Sequence, residues 1–298
     1  MPSLSIPIRS VVLPAMALVL LVLSGTSACE TTFDAFEEND KYFSLSGYLD
    51  AGADTQFVRI EPLRDSLLLG TTPIDVEVTL EHLATGTKMI WNDSLFQFSE
   101  GIYAHNYWSA ETVQPRETYR LQVKQPDGIA STALVTLPDT FPTPNPPHVI
   151  CMSLRAYCLE SWVLSIDVKG IKNLAAATAV YHYLDPDPLA ASKCGVLKVP
   201  YWREAMPTQD GFRIRVEWRR DLEAIASIWT AHGFIPFFAN FDLFVAAGND
   251  QWPAMAQLDQ ETLFLPDVAT NVEQGVGFVG GVLSKNVHVF GTKLLCEE

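Results

Sequence analysis

The residue best placed for chemistry is Cys29. It ends the run Ser24-Gly25-Thr26-Ser27-Ala28-Cys29, which follows thirteen apolar residues, Val11 to Leu23, and a short start whose one cation is Arg9. A cation, an apolar stretch and small residues in that order form an export signal over residues 1–28. At about 1.5 Å per residue the apolar stretch reaches only about 20 Å, against roughly 30 Å of hydrocarbon, so a retained membrane span is not expected. Thr26-Ser27-Ala28-Cys29 resembles a lipobox, whose small residues admit an extended chain to a signal peptidase and whose thiol then carries diacylglycerol. Thr26 stands where Leu, Val or Ile is usual, and Thr26-x-Ala28 also resembles a simple cleavage site that would leave no lipid. Lipidation at Cys29 is the expected chemistry.

Four cysteines remain, Cys151, Cys158, Cys194 and Cys296, an even number confined to the second half. In an exported chain they are candidates for two disulfides, with three pairings open. A bridge from Cys296 back to Cys151 or Cys158 would close the longest loop and remove the most chain entropy. Free buried thiols are the competing expectation. The spacing fits no zinc site, because no C-x₂-C or H-x₃₋₅-H pattern accompanies it.

Other reactive patterns are sparse. The six histidines, His82, His105, His148, His182, His232 and His288, include no pair at a metal-binding helical spacing. His182 with Asp185 and Asp187 is the densest group of hard ligands, yet alternating Asp-Pro reads better as a rigid turn after a strand. G-x-S-x-G, H-E-x-x-H and glycine-rich phosphate cradles are absent. No metal and no cofactor are expected, and the chain reads as non-catalytic; a hydrolase with a carboxylate site in residues 148–298 is the alternative. Aromatic residues offer the better lead. Tyr103, His105, Tyr107 and Trp108 share one strand, and sugar rings stack on exposed aromatic faces. If Tyr103, His105 and Tyr107 form an open face they are ligand-binding candidates; otherwise they are core or cross-strand pairs. Trp252, followed by Pro253, is a second candidate.

Charge narrows the partners. The chain carries 20 Lys plus Arg against 35 Asp plus Glu. That balance disfavours nucleic acid and electrostatic docking on anionic lipid, so membrane attachment has to come from the lipid anchor.

The elements that must position these residues follow a simple order. Cys29 and the acidic run to residue 40 form a tether. From residue 41 to 137 the apolar period is two, in seven short runs: Phe43 to Leu49, Phe57 to Glu61, Ile74 to Glu81, Thr87 to Trp91, Gly101 to Trp108, Thr118 to Lys124 and Ile129 to Leu137. Seven such strands in this length predict an immunoglobulin-like or fibronectin-like β-sandwich. Tyr119, two residues after Glu117 and four after Pro115, stands where a tyrosine corner would be, a structural role. Residues 138–147 are a Pro-rich boundary, with five prolines in the eleven residues from Leu137 to Pro147. Residues 148–298 predict a second, β-rich domain with one or two helices. Its strands are Trp162 to Val168, Thr178 to Leu184, Phe212 to Trp218, Phe237 to Ala247 and two glycine-bearing runs after Val276. A helix is expected near 221–232, with Asp221 as N-cap, and a shorter one from Pro253 to Leu258.

The lipobox, the acidic tether, the opening strand Tyr42 to Asp50, the sandwich and the late Asn271-Val-Glu-Gln-Gly275-Val-Gly277-Phe-Val-Gly280-Gly281 segment together resemble a family of uncharacterised outer-membrane lipoproteins whose genes often accompany TonB-dependent receptors. The resemblance implies a lipid-anchored place in the outer membrane and an outer-membrane protein partner, and it brings no catalytic residues. Glu30 after Cys29, where Asp would resemble an inner-membrane retention signal, suits that destination. A glycan or small-molecule ligand is left open.

Overall fold

The computed structural model of the chain describes residues 41–63, 74–99, 102–146, 163–184, 194–218, 220–221, 237–252 and 270–291. Cys29 and the tether, Cys151, Cys158 and Cys296, Asp185 and Asp187, and the expected helix from Pro253 lie outside these residues. The described part is mainly β, in three sheets.

The first half builds β1 (Phe43–Asp50), β2 (Gln56–Pro62), β3 (Glu77–His82), β4 (Thr87–Ile90), β5 (Asn92–Ser99), β6 (Ile102–Ser109), β7 (Thr118–Lys124) and β8 (Ala130–Thr136). Alternation decides the facing of each strand: in β3, Val78 and Leu80 are buried while Glu77, Thr79 and Glu81 point outward. Each buried aliphatic side chain contributes about 1.5–3 kcal/mol, which no slipped register would retain. The strand orders β1-β2-β6-β5 and β8-β7-β3-β4 reproduce the two sheets of an immunoglobulin-like sandwich. Among the described residues its first-half strands number eight, and the one beyond the expected seven is β5, which follows β4 after Trp91 alone. The corner at Tyr119 is present: the Gln114 backbone N–H donates to its hydroxyl at 2.9 Å, and its ring stacks on His82 at 4.9 Å.

The second half adds β9 (Val163–Lys169), β10 (Asn173–Leu184), β11 (Cys194–Pro200), a 3-10 turn at Trp202–Glu204, β12 (Met206–Thr208), β13 (Gly211–Glu217), β14 (Phe237–Gly248), β15 (Val272–Glu273) and β16 (Gly275–Gly291). Strands β12-β13-β9 form a small sheet that packs Leu164, Ile166, Ile214 and Val216 against Tyr181, Phe241 and Leu243.

The two glycine-bearing runs expected after Val276 are one strand, and it joins the halves. Residues Gly275–Val282 of β16 pair parallel with β1, and Val282–Gly291 pair antiparallel with β14. The result is a continuous eight-stranded sheet, β11-β10-β14-β16-β1-β2-β6-β5. At the handover the Asp50 carboxylate accepts from Gly52 N at 2.8 Å and Ser284 N at 2.9 Å. Gly277 is required there, since its φ is +98° and a Cβ would stand 2.2 Å from the Leu45 carbonyl oxygen. β15 pairs with β8, so Val272 and Val279 complete the first core, whereas Leu283 and Val287 of the same strand belong to the second. The Pro-rich stretch runs from Leu137 in the first core to Phe141 in the second. It is held there by Lys285, whose ammonium donates to the Phe141 carbonyl at 2.5 Å and sits 4.8 Å from its ring.

Candidate functional site

Among the described residues several polar groups have the composition of chemical sites, Asp93–His105, Tyr181–Asp221–Tyr201 and His182–Asp242–His288 among them. In the first sandwich, His105 Nδ1 on β6 lies 2.9 Å from both oxygens of Asp93 on β5. A carboxylate only accepts, so Nδ1 carries the hydrogen of that contact and the other ring nitrogen is Nε2. That Nε2 is fully enclosed and has no hydrogen-bond partner, so no substrate reaches it. Tyr107 beside it is buried, and burial first, then the Asp93 charge, pushes its phenol far above the ordinary value.

In the second sandwich Asp221 is completely buried. Tyr201 donates to its Oδ1 at 2.5 Å, and Tyr181 donates to its Oδ2. Burial raises the pKa of Asp221, while the two phenol hydrogen bonds pull it back. Both phenols are raised as well, through burial and then through the adjacent carboxylate, and remain donors at neutral pH. Tyr201 also accepts from Glu217 N at 3.1 Å. This is a closed polar knot that anchors the end of β13 to β10. Trp218, Arg220 and Asp221 itself have helical backbone, so Asp221 lies within helical residues and serves the tyrosines, contrary to the N-cap expected of it; residues 222–232 of that expected helix lie outside the described ones.

On the open side of β10, β14 and β16, Asp242 bridges two imidazoles, with His182 Nε2 at 3.2 Å and His288 Nδ1 at 2.8 Å. Each ring takes a different oxygen. Among the described residues no group of three or more His, Cys, Asp or Glu side chains is arranged to hold a metal ion.

The ligand candidates read from the sequence separate. His105 and Tyr107 are core residues. Tyr103 lies in β6 and Cys194 opens β11, both with side chains outside the described set. Trp108 faces the opposite way from Tyr107, onto the outer side of the eight-stranded sheet, and pairing brings it into a row. Trp108 stands opposite Phe57, Phe57 opposite Tyr48, and Tyr48 opposite Gly280. Directly paired residues share a face, so these positions cross four neighbouring strands in a line. Tyr48 is 49% exposed and Phe57 47%. Gly280 carries the ring of Trp252, since a Cβ there would meet the indole at 2.3 Å. Trp252 also packs edge-on to Phe278 with centroids 5.8 Å apart. The second sequence candidate is therefore at one end of the row and Trp108 near the other. The next line of paired positions is polar: Ser46, Arg59, Asn106 and Ser94. Phe57 and Tyr48, which complete the row, were not singled out by sequence because alternation shows which residues share a strand face and leaves open which face is covered.

A depression of about 490 Å³ lies between the sandwiches, bordered by Thr136, Asp139, Lys172, Asn249 and Asp250. Asn249 donates to the Thr136 carbonyl at 2.8 Å, and its own Oδ1 is enclosed without a partner. The arrangement ties the two cores together at β8 and the end of β14.

Comparison with known protein families and with curated proteins finds no match for this chain.

Proposed function

We propose that this chain is a lipid-anchored, non-catalytic protein of the cell envelope that works by binding, and that its working surface is the outer face of the sheet over β1, β2, β6 and β5. The aromatic row with its polar neighbour carries the reading, because it is an assembled recognition surface on a stiff support. The chemically suggestive groups support it from the other side. The His105 ring and the Tyr181–Asp221–Tyr201 group are enclosed in ways that suit packing. The anchor at Cys29 and the tether to residue 40 would let the folded part stand off the membrane surface. The partner implied by the resemblance is an outer-membrane receptor of the TonB-dependent kind, which the protein binds or braces.

Two measurements test the proposal. Mass spectrometry of the mature N-terminus is expected to show an acylated Cys29; an unmodified terminus removes the anchor. Purification of the full-length protein from membranes in mild detergent is expected to bring down a TonB-dependent receptor in stoichiometric amount. If neither a receptor nor any soluble ligand is retained, the binding role fails.

A further inference from the structure

We infer that the row formed by Trp252 over Gly280, Tyr48, Phe57 and Trp108 is a binding site for an uncharged glycan chain. The inference deepens the binding role proposed above and rests on it. A pyranose ring has an apolar face of C–H bonds and an edge of hydroxyls, so it needs a flat aromatic surface beside planar or small hydrogen-bonding side chains. The sheet supplies both in neighbouring lines, one aromatic and one of Ser46, Arg59, Asn106 and Ser94. Neighbouring strands are about 4.8 Å apart, so the four positions span about 14 Å, enough for several consecutive sugars lying across the strands.

Charge selects the uncharged class. The chain's net charge is −15, which opposes a polyanionic ligand. Arg59, the one cation among the four positions of the polar line, is already paired with Glu61 at 2.7 Å, so that line presents no cation without a counter-charge. The same strands argue against an extended peptide. β1 lies between β16 and β2, β2 between β1 and β6, and β6 between β2 and β5, so their backbones are paired on both sides and cannot accept an added strand. What they present is side chains alone, in a planar array.

Affinity electrophoresis of the full-length protein through gels containing laminarin, soluble starch or xylan, with dextran sulfate as the charged control, tests this. At least one neutral polysaccharide is expected to retard the protein and dextran sulfate is not. Trp108→Ala and Phe57→Ala are each expected to weaken retardation about tenfold, roughly the loss of one stacked ring. Ile90→Ala, which removes a 70% exposed side chain on the other sheet, is expected to change nothing. Unchanged thermal unfolding midpoints confirm that the variants are folded. Retardation by none of the neutral polysaccharides overturns the inference, as does equal retardation by dextran sulfate or retardation insensitive to both aromatic substitutions. A receptor still recovered from membranes by a protein that binds no polysaccharide overturns the glycan site and leaves the binding role standing.

Discussion

Tyr119 and Asp221 show how single polar groups fix parts of this fold. The Tyr119 hydroxyl is the acceptor for the Gln114 N–H, and the ring is buried against His82. Tyr119→Phe keeps the ring and leaves that N–H without its partner, so we expect a loss of about 1–2 kcal/mol in urea unfolding with unchanged circular dichroism. Asp221 is a different case, because its environment favours the protonated form. A carboxyl whose folded-state pKa is raised holds its proton more tightly in the native protein than in the unfolded chain. Stability is then greatest at low pH and declines as pH rises from about 4 toward the raised value. Asp221→Asn retains a partner for each tyrosine and cannot ionise. Relative to wild type, its unfolding free energy is expected to improve as pH rises above the ordinary carboxyl range, and a pH-independent difference would refute the assignment. Asp221→Leu removes the acceptor that two buried phenols share and is expected to cost about 1–3 kcal/mol in urea unfolding.

At the scale of elements, β16 decides the architecture and was the hardest strand to read. Gly275, Gly277, Gly280 and Gly281 interrupt its apolar pattern, and sequence reasoning divides it into two runs. The glycines are there because its neighbours come close: Leu45 O at Gly277, the Trp252 ring at Gly280 and Thr136 O at Gly281. None of those contacts is local in sequence, so none leaves a local signal. β5 was missed for another reason. It is an edge strand whose Leu95 and Phe96, on opposite faces, are both well exposed, so its alternation reports no buried side. By contrast β3, β7 and β13 were legible because each has one buried face and one solvated face, and the tyrosine corner was legible because it is a local hydrogen bond. The candidate site was legible only at its ends. Trp108 and Trp252 draw attention by residue type, while the row between them exists through the pairings of β16, β1, β2 and β6. Gly277→Ala tests the strand directly. A Cβ at φ +98° and 2.2 Å from a backbone oxygen cannot be accommodated without parting β1 from β16. We expect a loss of about 2–4 kcal/mol in chemical unfolding and faster hydrogen exchange across Phe43–Asp50.

For the molecule as a whole, the shared strand means that neither core is complete without the C-terminal region. Val272 and Val279 close the core made by residues 43–137, while Leu283 and Val287, a few residues on, close the one made by β9, β10, β13 and β14. The two cores also meet at Asp50, which fastens the end of β1 to Ser284, and at Asn249, which fastens the end of β14 to β8. Unfolding either sandwich would withdraw β16 from the other, so the free energies of the two are coupled through one backbone. Calorimetry of the protein is therefore expected to give a single transition whose van't Hoff and calorimetric enthalpies agree. Two resolved transitions would show that the halves unfold separately. A chain ending at residue 147 would lose β15 and β16, exposing the inner side of β1 and an unpaired strand edge along Phe43–Asp50. That fragment is expected to be unfolded or aggregated, and adding residues 270–291 as a separate peptide is expected to restore its β-sheet spectrum. The same coupling gives the open face its stiffness: the four strands under Trp252, Tyr48, Phe57 and Trp108 cannot shift against one another without disturbing both cores. A ligand there meets a surface already in its binding shape, with little ordering cost on the protein side.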